Sequence, residues 1–68
     1  MAKVSYAKLW KVLEEKGYRK MELYEKARIS TNALAKLGRN EDVRVNILVK
    51  LCTFLDCNFD DIVEIVKE

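Results

Sequence analysis

The hydrophobic residues between Leu23 and Leu37 cannot all lie on one face of a single helix, and this break constrains the fold more than any other feature. Leu23 and Ala27 lie four residues apart, and Leu34 and Leu37 lie three apart, which are both helical spacings. The Arg-Ile-Ser-Thr segment at 28–31 separates the two pairs and contains neither glycine nor proline. The pattern therefore predicts two short helices joined by a tight turn.

The rest of the chain continues this helical pattern. Tyr6, Leu9, Trp10 and Leu13 fall at positions i, i+3, i+4 and i+7, which form one face of a helix. No stretch alternates long enough to predict a strand. We expect five helices, at about Tyr6–Lys16, Lys20–Ala27, Thr31–Leu37, Val45–Leu55 and Phe59–Val66.

Length and composition favour one compact domain over residues 1–68. The chain has 68 residues, 50% of them hydrophobic, with two glycines and no proline, which suits a helical core better than disorder. No apolar run approaches the roughly 18 residues needed to cross a bilayer, and lysines interrupt the first segment where a signal peptide would be apolar. We expect a cytoplasmic protein without a membrane partner.

Catalysis and cofactor binding have little support in the sequence. The chain lacks histidine, the commonest general base, and it has no glycine-rich phosphate loop. Cys52 and Cys57 lie five positions apart on a predicted helix, a rise of about 7.5 Å, which is too far for a relaxed disulfide. We therefore expect buried thiols, no metal, no cofactor, no small-molecule ligand and no enzymatic activity.

The third helix carries the strongest functional signal. Ser30 is a favourable N-cap for it, and Leu34 and Leu37 are its inward residues. Asparagine pairs with adenine through two hydrogen bonds, arginine pairs likewise with guanine, threonine offers a hydroxyl and a methyl group, and alanine permits close approach. We call the five outward residues of this segment the outer face, and we predict that they contact DNA bases: Thr31, Asn32, Ala35, Lys36 and Arg39.

The charge distribution agrees with a polyanionic partner. Residues 1–55 carry twelve Lys and Arg against six Asp and Glu, whereas residues 56–68 carry one lysine against five acidic residues. The positive part of the chain can therefore face nucleic acid while the acidic end faces elsewhere.

The segment MELYEKARISTNALAKLGRN resembles the helix-turn-helix core of the Cro/C1-type (XRE-like) bacterial regulators. The flanking KLW-VLEEKGY and LVKLCTFLDCNFDDIVEI are similar to the small single-domain, VanU-type subgroup. The resemblance implies an all-α, compact five-helix, lambda-repressor-like domain that binds double-stranded DNA, usually as a homodimer on a palindromic operator. It implies that Thr31, Asn32 and Lys36 reach into the major groove, with Ala35 and Arg39 on the same edge.

The same resemblance places Lys20 and the loop 40–44 beside the sugar–phosphate backbone, and helix N-termini favour phosphates. The predicted phosphate contacts are Arg19, Lys20, Ser30, Asn40 and Arg44.

The chain departs from the family pattern at four positions. Arg28 stands where relatives have the glycine of the helix-turn-helix turn, and a non-glycine residue costs roughly 1 kcal/mol there if the turn needs positive φ. Arg19 and Arg44 replace the usual Ser or Thr caps, at about 0.5–2 kcal/mol each. Tyr24 replaces a small residue. These departures affect the expected stability more than the expected fold.

Two alternative functions remain open at this point. The first is a protein-interaction module, antitoxin-like or an anti-regulator, that keeps the fold without reading an operator, and the second is RNA binding. Two apolar surfaces are candidates for the dimer contact: the helix edge that includes Trp10, Tyr24 and Phe54, and the C-terminal IVEIVKE segment.

Overall fold

Four helices and one pair of strands make up the computed structural model, which describes residues 2–67. The strands are antiparallel, with Ala2 opposite Lys67 and Val4 opposite Ile65. In chain order the elements are β1 (Ala2–Ser5), α1 (Ala7–Lys16), α2 (Lys20–Glu25), α3 (Thr31–Gly38), α4 (Val45–Leu55), a 3₁₀ turn (Phe59–Asp61) and β2 (Glu64–Lys67).

Every helix and the segment after the 3₁₀ turn contribute to one core. The burial follows the predicted helical spacing, since each helix places its apolar stripe inward and its charged residues outward. The most deeply buried side chains are Tyr6, Leu9, Leu23, Ile29, Leu37, Leu51, Leu55 and Ile62.

The predicted fifth helix over Phe59–Val66 is wrong, and so is the all-α, five-helix description. This segment forms the 3₁₀ turn and β2 instead. Of its presumed inward residues Ile62 is fully buried, while Phe59 and Val66 are each 43% exposed. The end of the segment is rich in β-branched residues, which lose rotamer freedom in helices and fit strands well. Pairing with β1 therefore decides its conformation.

The helices α1, α3 and α4 end with the same backbone motif. The chain reverses through one left-handed residue after each helix, at Gly17 (φ 76°), Asn40 (φ 56°) and Asp56 (φ 53°). The next N–H then donates to the carbonyl five residues earlier, from Tyr18 to Leu13 (2.9 Å), from Glu41 to Lys36 (2.9 Å) and from Cys57 to Cys52 (3.0 Å). These are Schellman ends, which satisfy carbonyls that the helix leaves unpaired.

Candidate nucleic-acid interface

The turn between α2 and α3 is closed by backbone bonds and by one buried side chain. Lys26 N–H donates to the Glu22 carbonyl at 2.7 Å, and Ile29 N–H donates to the Leu23 carbonyl at 3.2 Å. Ile29 is 1% exposed, so its side chain is inserted in the core between the two helices. Arg28 lies at φ 62°. The turn does need positive φ, and an arginine occupies the position.

Ser30 starts α3 as predicted. Its Oγ accepts a hydrogen bond from Ala33 N–H at 3.0 Å, which satisfies one of the free donors of the first turn. Ala33 and Leu37 are the buried residues of the helix, whereas Leu34, a predicted inward residue, is only half-buried. Ala33 was missed because alanine fits an inward or an outward position equally well.

The burial of Ala33 and Leu37 fixes which side of α3 faces away from the core. Thr31, Asn32 and Ala35 are exposed, and Lys36 is half-buried on the same helix. The outer face is thus available to a partner along the length of the helix. Whether these side chains contact bases stays a prediction.

Arg39, the last residue of the outer face, is already paired. Its Nε donates to Glu41 Oε2 at 2.8 Å, and its Nη2 donates to Oε1 at 3.3 Å. The hydrogen bond from Arg39 is the main cause that lowers the pKa of Glu41. A base contact by Arg39 must therefore use its remaining donors or displace the Glu41 carboxylate. The spacing of two residues between the charges is the sequence signal for this pair.

Glu22 supplies part of the cap that α2 was expected to lack. Its Oε1 accepts from Arg19 N–H at 2.9 Å, which is half of a capping box. Its Oε2 lies 3.0 Å from Lys26 Nζ. The bond from the Arg19 backbone, followed by the one from Lys26, lowers the pKa of Glu22. The carboxylate therefore stays ionised at the positive end of the helix dipole.

Lys20, at the first position of α2, lies over an aromatic ring. Its Nζ is 4.5 Å from the centroid of the Trp10 ring, a distance typical of a cation–π contact. Trp10 belongs to α1 and is half-buried. The contact joins two helices across ten positions of sequence, and helical periodicity alone gives no sign of it.

A groove of about 320 Å³ separates the start of α3 from the start of α4. It brings together Ser30, Asn32, Lys36 and Arg44, four of the predicted site residues. The other lining residues are Ala33, Val43, Asn46 and Ile47. Because two helix N-termini open beside it, the groove suits an anionic group.

The exposed residue Asn40 is hydrogen-bonded to another part of the protein. Its Oδ1 accepts from Tyr6 N–H at 3.0 Å, and the Tyr6 hydroxyl donates to the Glu41 carbonyl at 2.8 Å. The predicted role of Asn40 beside a phosphate stays a prediction, while its observed contact fastens the end of α3 to the start of α1.

Two classes of site find no support within residues 2–67. No group of three or more His, Cys, Asp or Glu side chains is placed to hold a metal ion. None of the helices is both long and apolar enough to cross a membrane.

Known proteins resemble this chain in sequence and in fold. Residues 8–68 match the family model of the Cro/C1-type helix-turn-helix DNA-binding domain. A crystal structure of the transcriptional regulator VanUg is similar, with 43% sequence identity and a TM-score of 0.94. The alignment covers 98% of this chain and 89% of that chain. No match was found among curated proteins.

Proposed function

We propose that this chain, which belongs to the Cro/C1-type helix-turn-helix family of DNA-binding domains, is a transcriptional regulator. It binds double-stranded DNA at specific sequences. The outward orientation of α3 carries the proposal. Ala33 and Leu37 hold the helix against the core, so that Thr31, Asn32 and Ala35 are left free for base edges in the major groove. The similarity to a transcriptional regulator supports the same function.

In the proposed mechanism, one set of residues recognises DNA bases and another set binds the phosphates. Asn32 offers a paired donor and acceptor to adenine, and Lys36 offers donors to guanine. Arg44 and Ser30, beside the groove at the two helix N-termini, hold one phosphate region, and Arg19 and Lys20 hold another from the start of α2. Phosphate contacts fix the register of a protein on the duplex but carry no sequence information.

We further propose a homodimer in the cytoplasm that binds a palindromic operator and either represses by competing with polymerase or activates by recruiting it. Half-sites in such operators lie one helical turn apart, about 34–36 Å. Two exposed apolar surfaces are available for the contact between copies. Met21 and Tyr24 on α2 are 55% and 47% exposed, and Ile65 and Val66 on β2 are 62% and 43% exposed. Phe54 instead packs against Tyr18, with ring centroids 4.8 Å apart.

A titration against two duplexes tests the function. The protein is titrated with the DNA upstream of its own gene and with an unrelated duplex at the same salt concentration. The one tryptophan of the chain lies under Lys20, so its fluorescence reports on binding at the start of α2. We expect a specificity ratio of roughly 10³ or more. Equal, weak binding to both duplexes would reject the regulator and favour a protein-interaction module.

Two substitutions test the division between reading and anchoring. Asn32→Ala should cost about 1–3 kcal/mol on the specific duplex and relax the preference at one base pair. Lys20→Ala should weaken binding to every duplex. It should also reduce the slope of log affinity against log salt concentration by about one, because one phosphate contact is lost. Lys11→Ala is a matched control, since Lys11 is exposed on α1 and lines a different groove. If Asn32→Ala weakened specific and random DNA equally, α3 would not be the reading element.

A further inference from the structure

The end of α4 brings two cysteines together that a continuous helix would keep apart. The helix ends at Leu55, and the left-handed conformation of Asp56 reverses the chain. Cys57 N–H then lies 3.0 Å from the Cys52 carbonyl oxygen. The expectation of a 7.5 Å rise between the cysteines is therefore wrong, because it assumed five further positions of regular helix.

The two side chains also line the same surface groove. The thiols of Cys52 and Cys57 interact, and each alters the pKa of the other. In a Schellman end these two positions usually make an apolar contact, and here both are occupied by thiols. Both side chains are half-buried and line an open groove of about 400 Å³ that also includes Thr53 and Phe59. A small reagent thus has access to the pair.

We propose that Cys52 and Cys57 form an oxidation site, at which a low-molecular-weight disulfide converts the two thiols into one intramolecular disulfide. The thiolate of one cysteine attacks the small disulfide, which forms a mixed disulfide and releases one small thiol. The second cysteine attacks the protein sulfur of that mixed disulfide and releases the other small thiol. The two protein thiols are oxidised, the small disulfide is reduced, and the two protons pass to the released thiolates.

The surroundings of the pair disfavour the thiolate form of both cysteines. Burial raises the pKa of Cys52 to about 11, and the negative charges of Asp61 and Asp60 add to this. Burial also raises the pKa of Cys57, and Asp61 and Asp56 add to it, but the contact with Cys52 and the charge of Lys16 lower it. Either thiolate can therefore make the first attack. The reaction is slow at neutral pH and faster as pH rises, because only thiolates attack.

The experiment compares the pair in the folded and the unfolded chain. The full-length reduced protein is equilibrated with mixtures of glutathione and glutathione disulfide at alkaline pH, in buffer and in concentrated urea. Mass spectrometry separates the dithiol, the mixed disulfide and the internal disulfide. We expect the equilibrium constant for the internal disulfide to be at least about tenfold larger in buffer, because the fold holds the two cysteines close together.

Two variants test whether both cysteines are needed. Cys52→Ser should stop at the mixed disulfide on Cys57, and Cys57→Ser should stop at the mixed disulfide on Cys52. Cys→Ala replacements serve if a serine variant fails to fold. An equilibrium constant no larger in buffer than in urea would overturn the proposal. So would glutathione on both cysteines, or disulfides between chains, as the end product.

Discussion

The chain turns on both sides of α3 through a left-handed residue that is not glycine, and it holds the two turns in different ways. Before the helix, Arg28 lies at φ 62°, and after it Asn40 lies at φ 56°. Asparagine tolerates this conformation better than arginine does. Asn40 also accepts a long-range hydrogen bond from Tyr6 N–H, whereas Arg28 is held by the residues that follow it, Ile29 and Ser30.

The difference shows that the conformation of a turn follows from what its neighbours bury and bond. Ile29 is 1% exposed and its N–H is bonded back to Leu23. Ser30 caps the next helix. Because Ile29 and Ser30 are fixed, the backbone at Arg28 joins them to the end of α2 through the left-handed conformation. At Asn40, by contrast, the residue itself contributes to the connection.

The largest effect is expected at the anchor of the first turn. Ile29→Ala should destabilise the domain by about 2–5 kcal/mol, because it leaves a cavity between α2 and α3. Urea unfolding followed by circular dichroism measures the loss. Val45→Ala is the control, since Val45 is 63% exposed and should change stability by less than about 0.5 kcal/mol. If both variants lost the same small amount, Ile29 would not hold the turn.

Asn40 should give the next largest effect, and two variants separate its two contributions. Asn40→Ala should cost about 2 kcal/mol, because it removes the bond to Tyr6 and places alanine in the left-handed region. Asn40→Gly should cost about half as much, since glycine accepts this backbone freely. Thermal unfolding measures both. Equal losses in the two variants would mean that backbone conformation contributes little at this turn.

Arg28→Gly should stabilise the domain by about 1 kcal/mol, because it relieves the left-handed conformation of a residue with a Cβ. In a domain of this size the melting temperature should rise by about 4–8 °C. Asp56→Gly is a matched control, since Asp56 has φ 53° but aspartate tolerates it better. A gain at Asp56 as large as that at Arg28 would contradict the distinction between the residue types.

The smallest effect is expected from alkaline pH at the second turn. Burial, followed by the charge of Asp42, raises the pKa of Tyr6 above its ordinary value of 10.0. The folded state thus favours the neutral phenol, which donates to the Glu41 carbonyl. Its contribution to stability is complete below about pH 10 and is lost as pH rises through the raised pKa.

Stability measured between pH 8 and pH 11 by urea unfolding should therefore fall less steeply in Tyr6→Phe than in a protein that keeps the tyrosine. Both proteins should carry Cys52→Ser, because burial also raises the pKa of Cys52, to about 11. Parallel curves for the two proteins would place the alkaline loss elsewhere in the chain.

The parts of the fold that follow from local patterns were predictable from the sequence. The helix over Val45–Leu55 has the predicted bounds, and α1 begins one residue later than expected. Ser30 caps α3, as its hydroxyl group predicts. In each case the deciding residues lie within a few positions of one another.

The parts that failed depend on contacts between distant residues. The apolar residues of 59–66 fit a helix by themselves, and only the pairing of residues 64–67 with residues 2–5 makes the last of them a strand. The bond from Tyr6 to Asn40 joins residues 34 positions apart. Lys20 and Trp10 meet because α1 and α2 pack together. Periodicity within one segment contains no information on such pairs.

The pairing of β1 with β2 has a practical consequence for joining this domain to others. Because Ala2 lies opposite Lys67, the first and last of the described residues lie side by side. A tag or a second domain is therefore carried at the same edge, whichever end it is fused to. A short linker between these ends would close the backbone into a ring and allow new termini to be opened in a surface loop.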